Sequence, residues 1–235
     1  MNSINLIDLT LGLIPVALTL GIMIYWSLSV RGAIIAVFRM LIQLLLIGYA
    51  LNFIFGIDSS WPVVLILCLM LLAASWISLG SLNLKVEQLF LLSLLAISMS
   101  GLFTLLITTQ GILHISPWYS PQVIIPIAGM IFSNSMNTIS LAAERFFSEY
   151  GHCGDYTRSR NIAFQTAMIP VTNSLLAVGL VSLPGMMTGQ ILSGVSPLIA
   201  VRYQIMVMLM IFGSAGLSAA IFLYMSRNIA QNNKP

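Results

Sequence analysis

Apolar residues run through this chain in long blocks separated by short polar interruptions, not in the alternation of a strand or the one-sided stripe of a soluble amphipathic helix. Blocks at about 9 to 29, 33 to 55, 61 to 80, 89 to 109, 121 to 145, 164 to 190 and 198 to 225 are each near the length of a membrane-spanning helix, which needs about 20 apolar residues. The pattern predicts an all-α, polytopic helical membrane protein with about seven transmembrane helices, forming a single membrane domain over residues 1–235. No internal repeat is visible, and an odd number of blocks speaks against a duplicated half. The first block lacks a basic segment before it and is read as a retained span, not a cleaved leader.

Two blocks depart from plain hydrophobicity. In the fifth, Ser133, Asn137, Ser140 and Glu144 recur at spacings of four, three and four, a continuous polar stripe on one helix face, with Asn134 beside it. Such a stripe is either a hydrogen-bonded seam between helices or the wall of a transport path. In the sixth, Thr172 and Asn173 follow Pro170, and Pro184-Gly185 interrupts the block ahead of Met186 and Met187. A helix broken at membrane depth frees backbone groups that need protein or water as partners, and such breaks mark gates and binding sites. The candidate translocation path is therefore Ser133, Asn134, Asn137, Ser140, Glu144, Asn173, Pro184, Gly185, Met186 and Met187. The methionines are more readily explained as packing than as soft-metal ligands, and no metal-ligand set can be named.

Between these blocks, residues 147–161 read as a short cytoplasmic loop. Glu144, Arg145, Glu149, Asp155, Arg158 and Arg160 in and beside it are six of the chain's fifteen ionic residues, nine basic and six acidic. This is where a soluble partner is expected to grip, with Tyr156, Arg158 and Arg160 as the docking residues. In the second block Arg39 and Gln43 lie four apart on one helix face and are read as buried polar residues within the membrane. Snorkelling of the arginine to the surface is the competing explanation.

The chain is 59% hydrophobic and 6% charged, against about 25% charged residues in a soluble domain. A water-soluble fold is excluded, and no length remains for a soluble catalytic domain. The net charge of +3 is spread too thinly to engage nucleic acid. It serves topology instead: Arg31, Lys85, the arginines at 145–160, Arg227 and Lys234 fall on one side of the predicted turns, and Asp8, Asp58 and His114 on the other. The positive-inside rule then puts the N-terminus outside and the C-terminus in the cytoplasm, with Arg202 as an exception. Trp26, Trp61, Trp76 and Trp118 fall near block ends, as interfacial rings do. Cys68 and Cys153 are too far apart in sequence and setting to imply a disulfide or metal framework. No HExxH, GxSxG or phosphate-cradling loop is present, so neither an enzyme nor a bound cofactor is expected.

The stretches RGAIIAVFRMLIQLLLIGYALNFIF, IPIAGMIFSNSMNTISLAAERF and GLVSLPGMMTGQILSGVSPLIAVRYQIMVM together resemble the FetB-type permeases. That family comprises membrane subunits of an ATP-binding cassette (ABC) transporter linked to iron export and is related to plant aluminium-tolerance membrane proteins. The resemblance covers nearly the whole chain. It implies a permease subunit of an ABC exporter, serving iron export or metal homeostasis, in the plasma or bacterial inner membrane. It also implies a separate ABC ATPase subunit as partner and a homodimer of the permease in the lipid bilayer. One departure is that SEYGHCGDYTRSRNIAFQTAMIP is shorter than the corresponding family segment. Two other readings are a non-transporting scaffold or assembly partner, and a permease for an unrelated small solute.

Overall fold

The computed structural model describes residues 10–54, 59–80 and 86–228. Asp8, Asp58, Lys85 and Lys234, used above for orientation, lie outside the described residues. Backbone contacts divide the chain into two compact units, Met1–Asp58 and Ser59–Pro235.

The first unit contains α1 (Leu13–Tyr25) and α2 (Arg31–Ile54). Pro15 stands in the first turn of α1, where backbone N–H groups have no partner inside the helix, so it does not break the helix. The 24 residues of α2 give a rod of about 36 Å, long enough to cross a bilayer. Arg39 and Gln43, read as buried polar residues within the membrane, are exposed on α2 in this unit taken by itself.

The second unit is a helical bundle of α3 (Ser60–Ile77), α4 (Val86–Leu106), α5 (Pro121–Cys153), α6 (Tyr156–Ala177), a short α7 (Gly185–Leu192) and α8 (Pro197–Met225). A π-helical turn over Ile107–Ile112 continues α4. The fold is all helix among the described residues, in a multi-pass membrane arrangement. Among the described residues, five segments are both long and apolar enough to cross a membrane: Arg31–Ala50, Ser60–Ile77, Leu89–Ile112, Pro121–Cys153 and Pro197–Met225. The first predicted block forms a shorter helix, and the sixth is less apolar because α6 opens on YTRSRN, so seven is an approximate count.

The central helix is α5, which packs against α3, α4, α6 and α8. Its buried face carries Ile124, Ile131, Phe132, Ile139, Ala142 and Phe146. Small residues let its neighbours approach. On α4, Ser93, Ala96, Ser100 and Thr104 recur every three or four positions and are buried, as are Gly101 and, in the π-helical turn, Thr108. Their hydroxyls are satisfied locally: Ser100 Oγ donates to Ala96 O, Thr104 Oγ1 to Ser100 O and Thr108 Oγ1 to Thr104 O, each at 2.8 Å. A hydrocarbon setting requires such internal pairing, and the small side chains give close helix contact in place of a hydrophobic driving force. The Ser78 and Ser93 hydroxyls, 2.7 Å apart, tie the end of α3 to α4. Trp26, Trp61, Trp76 and Trp118 are exposed, and the first three sit at helix ends.

Two predicted boundaries are corrected. The fifth span does not stop near residue 145: α5 continues to Cys153, about 50 Å in all against a hydrocarbon core of about 30 Å. The segment 147–161 is therefore the end of one helix and the start of the next, joined by Gly154 and Asp155. Gly154 takes the left-handed conformation, φ +63°, that closes a helix. The Asp155 carboxylate accepts from the N–H groups of Thr157 and Arg158 at 2.8 and 3.2 Å and so caps α6. The sixth span does not run to residue 190 either: α6 ends at Ala177, and the chain turns through residues 178–184 before Pro184 opens α7. Gly179 has φ +83°, and the Val181 and Ser182 N–H groups both return to Ala177 O, at 2.8 and 3.2 Å.

Candidate functional site

The turn after α6 folds beside the middle of α5, and a cavity of about 530 Å³ opens there. From α5 come Asn134, Asn137 and Thr138; from α6, Asn173 and Ser174; from the turn, Ser182 and Pro184; and Met208 and Ile211 of α8 close it. Asn137 is the central residue of α5, about 24 Å from either end of that helix. An amide at that position needs a polar partner or water.

The polar groups differ in how far they are committed. Asn134 Nδ2 donates to Met130 O at 2.8 Å, Thr138 Oγ1 to Asn134 O at 2.8 Å, and Ser174 Oγ to Pro170 O at 2.9 Å. These groups hold their own helices and turn remaining acceptor capacity to the cavity. Asn137 and Asn173 are exposed and their side-chain amides make no hydrogen bond among the described residues. Pro170 also lines the cavity and lacks an N–H, so the Thr166 carbonyl loses its helical donor. The lining thus sets the amides of Asn134, Asn137 and Asn173 and the hydroxyls of Thr138, Ser174 and Ser182 among apolar residues such as Leu141, Val171 and Ile211, with no ionisable side chain among them.

Four expected path residues meet here: Asn134, Asn137, Asn173 and Pro184. Ser133, Ser140, Glu144, Gly185 and Met186 are not on the lining. Met187 lines an adjoining, more apolar cavity of about 340 Å³ that shares Val178, Pro184 and Met208 with the first. Gln204 of α8 borders that second space; it is only 6% exposed and its Oε1 has no hydrogen-bond partner among the described residues. Thr138, Ser174, Ser182, Met208 and Gln204 are additions. Thr138 and Ser174 stand next to residues already singled out, whereas Ser182 and Met208 reach the site only through the turn and the return of α8.

At the far end of α5 an aromatic cluster locks three helices. The Phe146 ring meets Phe147, Tyr150 and Tyr156 at centroid distances of 5.2, 5.8 and 5.8 Å. The Tyr156 hydroxyl donates to Leu223 O at 3.0 Å, joining the start of α6 to the end of α8. The guanidinium carbons of Arg160 and Arg227 lie 5.7 and 5.6 Å from the Tyr156 ring centroid, within the range of a cation–π contact. Arg158 is exposed. Because α6 begins at Tyr156, Arg158 and Arg160 are two positions apart on a helix and cannot present a joint fork on one face. Tyr156→Phe should lower stability by about 1 kcal/mol through the lost hydrogen bond, read as a lower thermal midpoint in detergent with insertion unchanged.

The chain matches the model of UPF0014, described as an uncharacterised protein family, over residues 6–155 and 154–230. It is 36% identical to a UPF0014 membrane protein of Synechocystis, over 79% of this chain and 84% of that protein. It is 31% identical to the probable iron export permease protein FetB of Escherichia coli, over 100% of this chain and 96% of that protein. It is also 31% identical to the protein ALUMINUM SENSITIVE 3 of Arabidopsis thaliana, over 85% and 77% respectively. No solved structure matches.

Proposed function

The chain belongs to the UPF0014 family of membrane proteins, and from that premise we propose that it is the membrane-spanning permease subunit of an ABC exporter serving metal export. The observation that carries this reading is the cavity at mid-α5, where Asn137 and Asn173 from two helices meet beside an irregular turn. Uncommitted amides at membrane depth are explained by a polar solute or water passing them, and a turn there is tolerated only beside a cavity or other protein. The similarity to an iron export permease supports metal as the cargo. Amide and hydroxyl oxygens suit hard cations, and among the described residues no group of three His, Cys, Asp or Glu is placed to bind a bare ion.

ATP hydrolysis belongs to a separate ABC ATPase, and two copies of the permease form the pathway in the bacterial inner membrane, with the N-terminus outside and the C-terminus in the cytoplasm. The ATPase docks where α5 projects beyond the bilayer and reverses at Gly154-Asp155. Motion imposed on this rigid corner reaches Asn137 along α5 and Asn173 along α6. Tyr156 and Arg160 support the corner from within, and Arg158 offers the exposed charge.

The test is co-expression with candidate ABC ATPases, followed by reconstitution of the captured pair and measurement of ATP-dependent iron uptake into inverted vesicles. Capture of one ATPase with ATP-dependent uptake is expected, and Arg158→Glu should weaken capture by roughly fivefold or more, about 1 kcal/mol for a lost and reversed interface charge. A normally inserted chain that captures no ATPase and moves no solute would favour the scaffold reading.

A further inference from the structure

A groove of about 380 Å³ lies between α6 and α8 at the end that carries Tyr156. It has two kinds of wall. Arg160, Asn161, Gln165 and Tyr224 supply polar groups, and Phe164 with Leu223 supply an apolar one. Arg160 is set in place: its Nε and Nη2 donate to Asn161 Oδ1 at 3.2 and 2.9 Å, and its guanidinium stacks against the Tyr156 ring. Arg227 stacks against the same ring, so two cations share one aromatic support. Among the described residues the ion pair is Arg145 with Glu149, and neither Arg160 nor Arg227 meets a carboxylate. Arg160 thus brings an unpaired positive charge to a groove with an apolar wall, and an anion bound there answers that charge.

We propose that this groove binds an anionic phospholipid of the leaflet at that end of the bundle. The phosphodiester is held by the guanidinium of Arg160, and Gln165 and Tyr224 donate to headgroup oxygens. The first methylenes of the acyl chains lie on Phe164 and Leu223. A carboxylate on a partner protein would answer the charge but leave the apolar wall uncovered, whereas a lipid satisfies both along its own length. Polybasic sites at the membrane surface attract anionic lipids in the same way, here with a built cleft to select the headgroup. The site lies on the corner that locks α5, α6 and α8, so occupancy stiffens that corner.

The experiment is thermal unfolding and native mass spectrometry of the purified full chain in detergent, with phosphatidylglycerol or phosphatidylcholine added. Phosphatidylglycerol should raise the thermal midpoint and stay bound in preference to phosphatidylcholine. Arg160→Gln should weaken phosphatidylglycerol retention by about fivefold, while Arg158→Gln, with the same change in net charge, should retain it. If Arg160→Gln does not fold, Gln165→Leu keeps both charges and should likewise lose the preference. Equal loss in the Arg158 and Arg160 variants, or no preference in the unaltered chain, overturns the proposal. So does an Arg160→Gln protein that keeps its lipid but loses ATPase capture, since the groove would then be a protein interface.

Discussion

Under the proposed permease role, Asn137→Leu should cut transport by roughly tenfold or more, while leaving the protein inserted and its capture of an ATPase unchanged. Asn137 is exposed within the cavity and its side-chain amide makes no hydrogen bond among the described residues, so its removal breaks no internal hydrogen bond. A stability change within about 0.5 kcal/mol is expected for such a site. The loss falls on the passing solute, whose polar groups would face leucine in place of an amide, a mismatch of about 1 to 3 kcal/mol for each unpaired group. The readout is ATP-dependent uptake into inverted vesicles, normalised to protein inserted. Asn173→Leu, from the opposite wall, should act in the same direction. Transport unchanged in both variants would leave the two asparagines as packing polar groups.

Gly101→Val should have the largest effect on the scaffold. A Cβ at this position would lie 2.7 Å from Phe132 Cε1 and 3.0 Å from Cδ1. Phe132 and Ile131 are both buried, and the Phe132 ring would have to shift, toward the cavity of about 850 Å³ that it lines with Leu102, Leu105 and Ile124. Overpacking of this kind costs about 1 to 3 kcal/mol, because α4 must move off α5 or the ring must leave its preferred rotamer. Differential scanning of the detergent-solubilised protein should show a lower midpoint, with reduced transport as a consequence of fewer folded molecules. An unchanged midpoint would mean that α4 and α5 are less closely packed than described.

The amides at 134, 137 and 173 were legible in the sequence because a polar side chain in an apolar block is costly and so stands out. Their sharing one path was expected; that an irregular turn and α8 help to enclose it was not, since this depends on where α6 stops. The chain from Val178 to Leu183 is almost wholly apolar, yet Leu180 and Val181 are 89% and 85% exposed on a turn. Hydrophobicity in a membrane protein reports the surroundings of a residue, not its backbone conformation; Pro184-Gly185 marked the interruption, but the bend begins earlier, at Gly179. The reverse error occurred at 147–161, where charge density read as loop. Gly154 followed by Asp155 is a helix stop and a helix start in two residues. Those two signals define one corner between long helices, which is also why Arg158 and Arg160 diverge. Arg39 and Gln43 were legible as polar intrusions, but nothing in a uniformly apolar helix indicated which side they would take.

The central claim is that the space between α5, α6 and the turn is a water-accessible path, and cysteine accessibility tests it most directly. With Cys68 and Cys153 replaced by serine, single cysteines at Asn137, Asn173 and Ser182 are treated with a charged thiol reagent in membranes, with Met99, exposed on the outer face of α4, as the lipid-facing reference. The first three should react and the fourth should not, and added ATPase with nucleotide should change the rates at 137 and 173 together. Cysteines at 137 and 173 as inert as the one at 99 would contradict a path through this cavity.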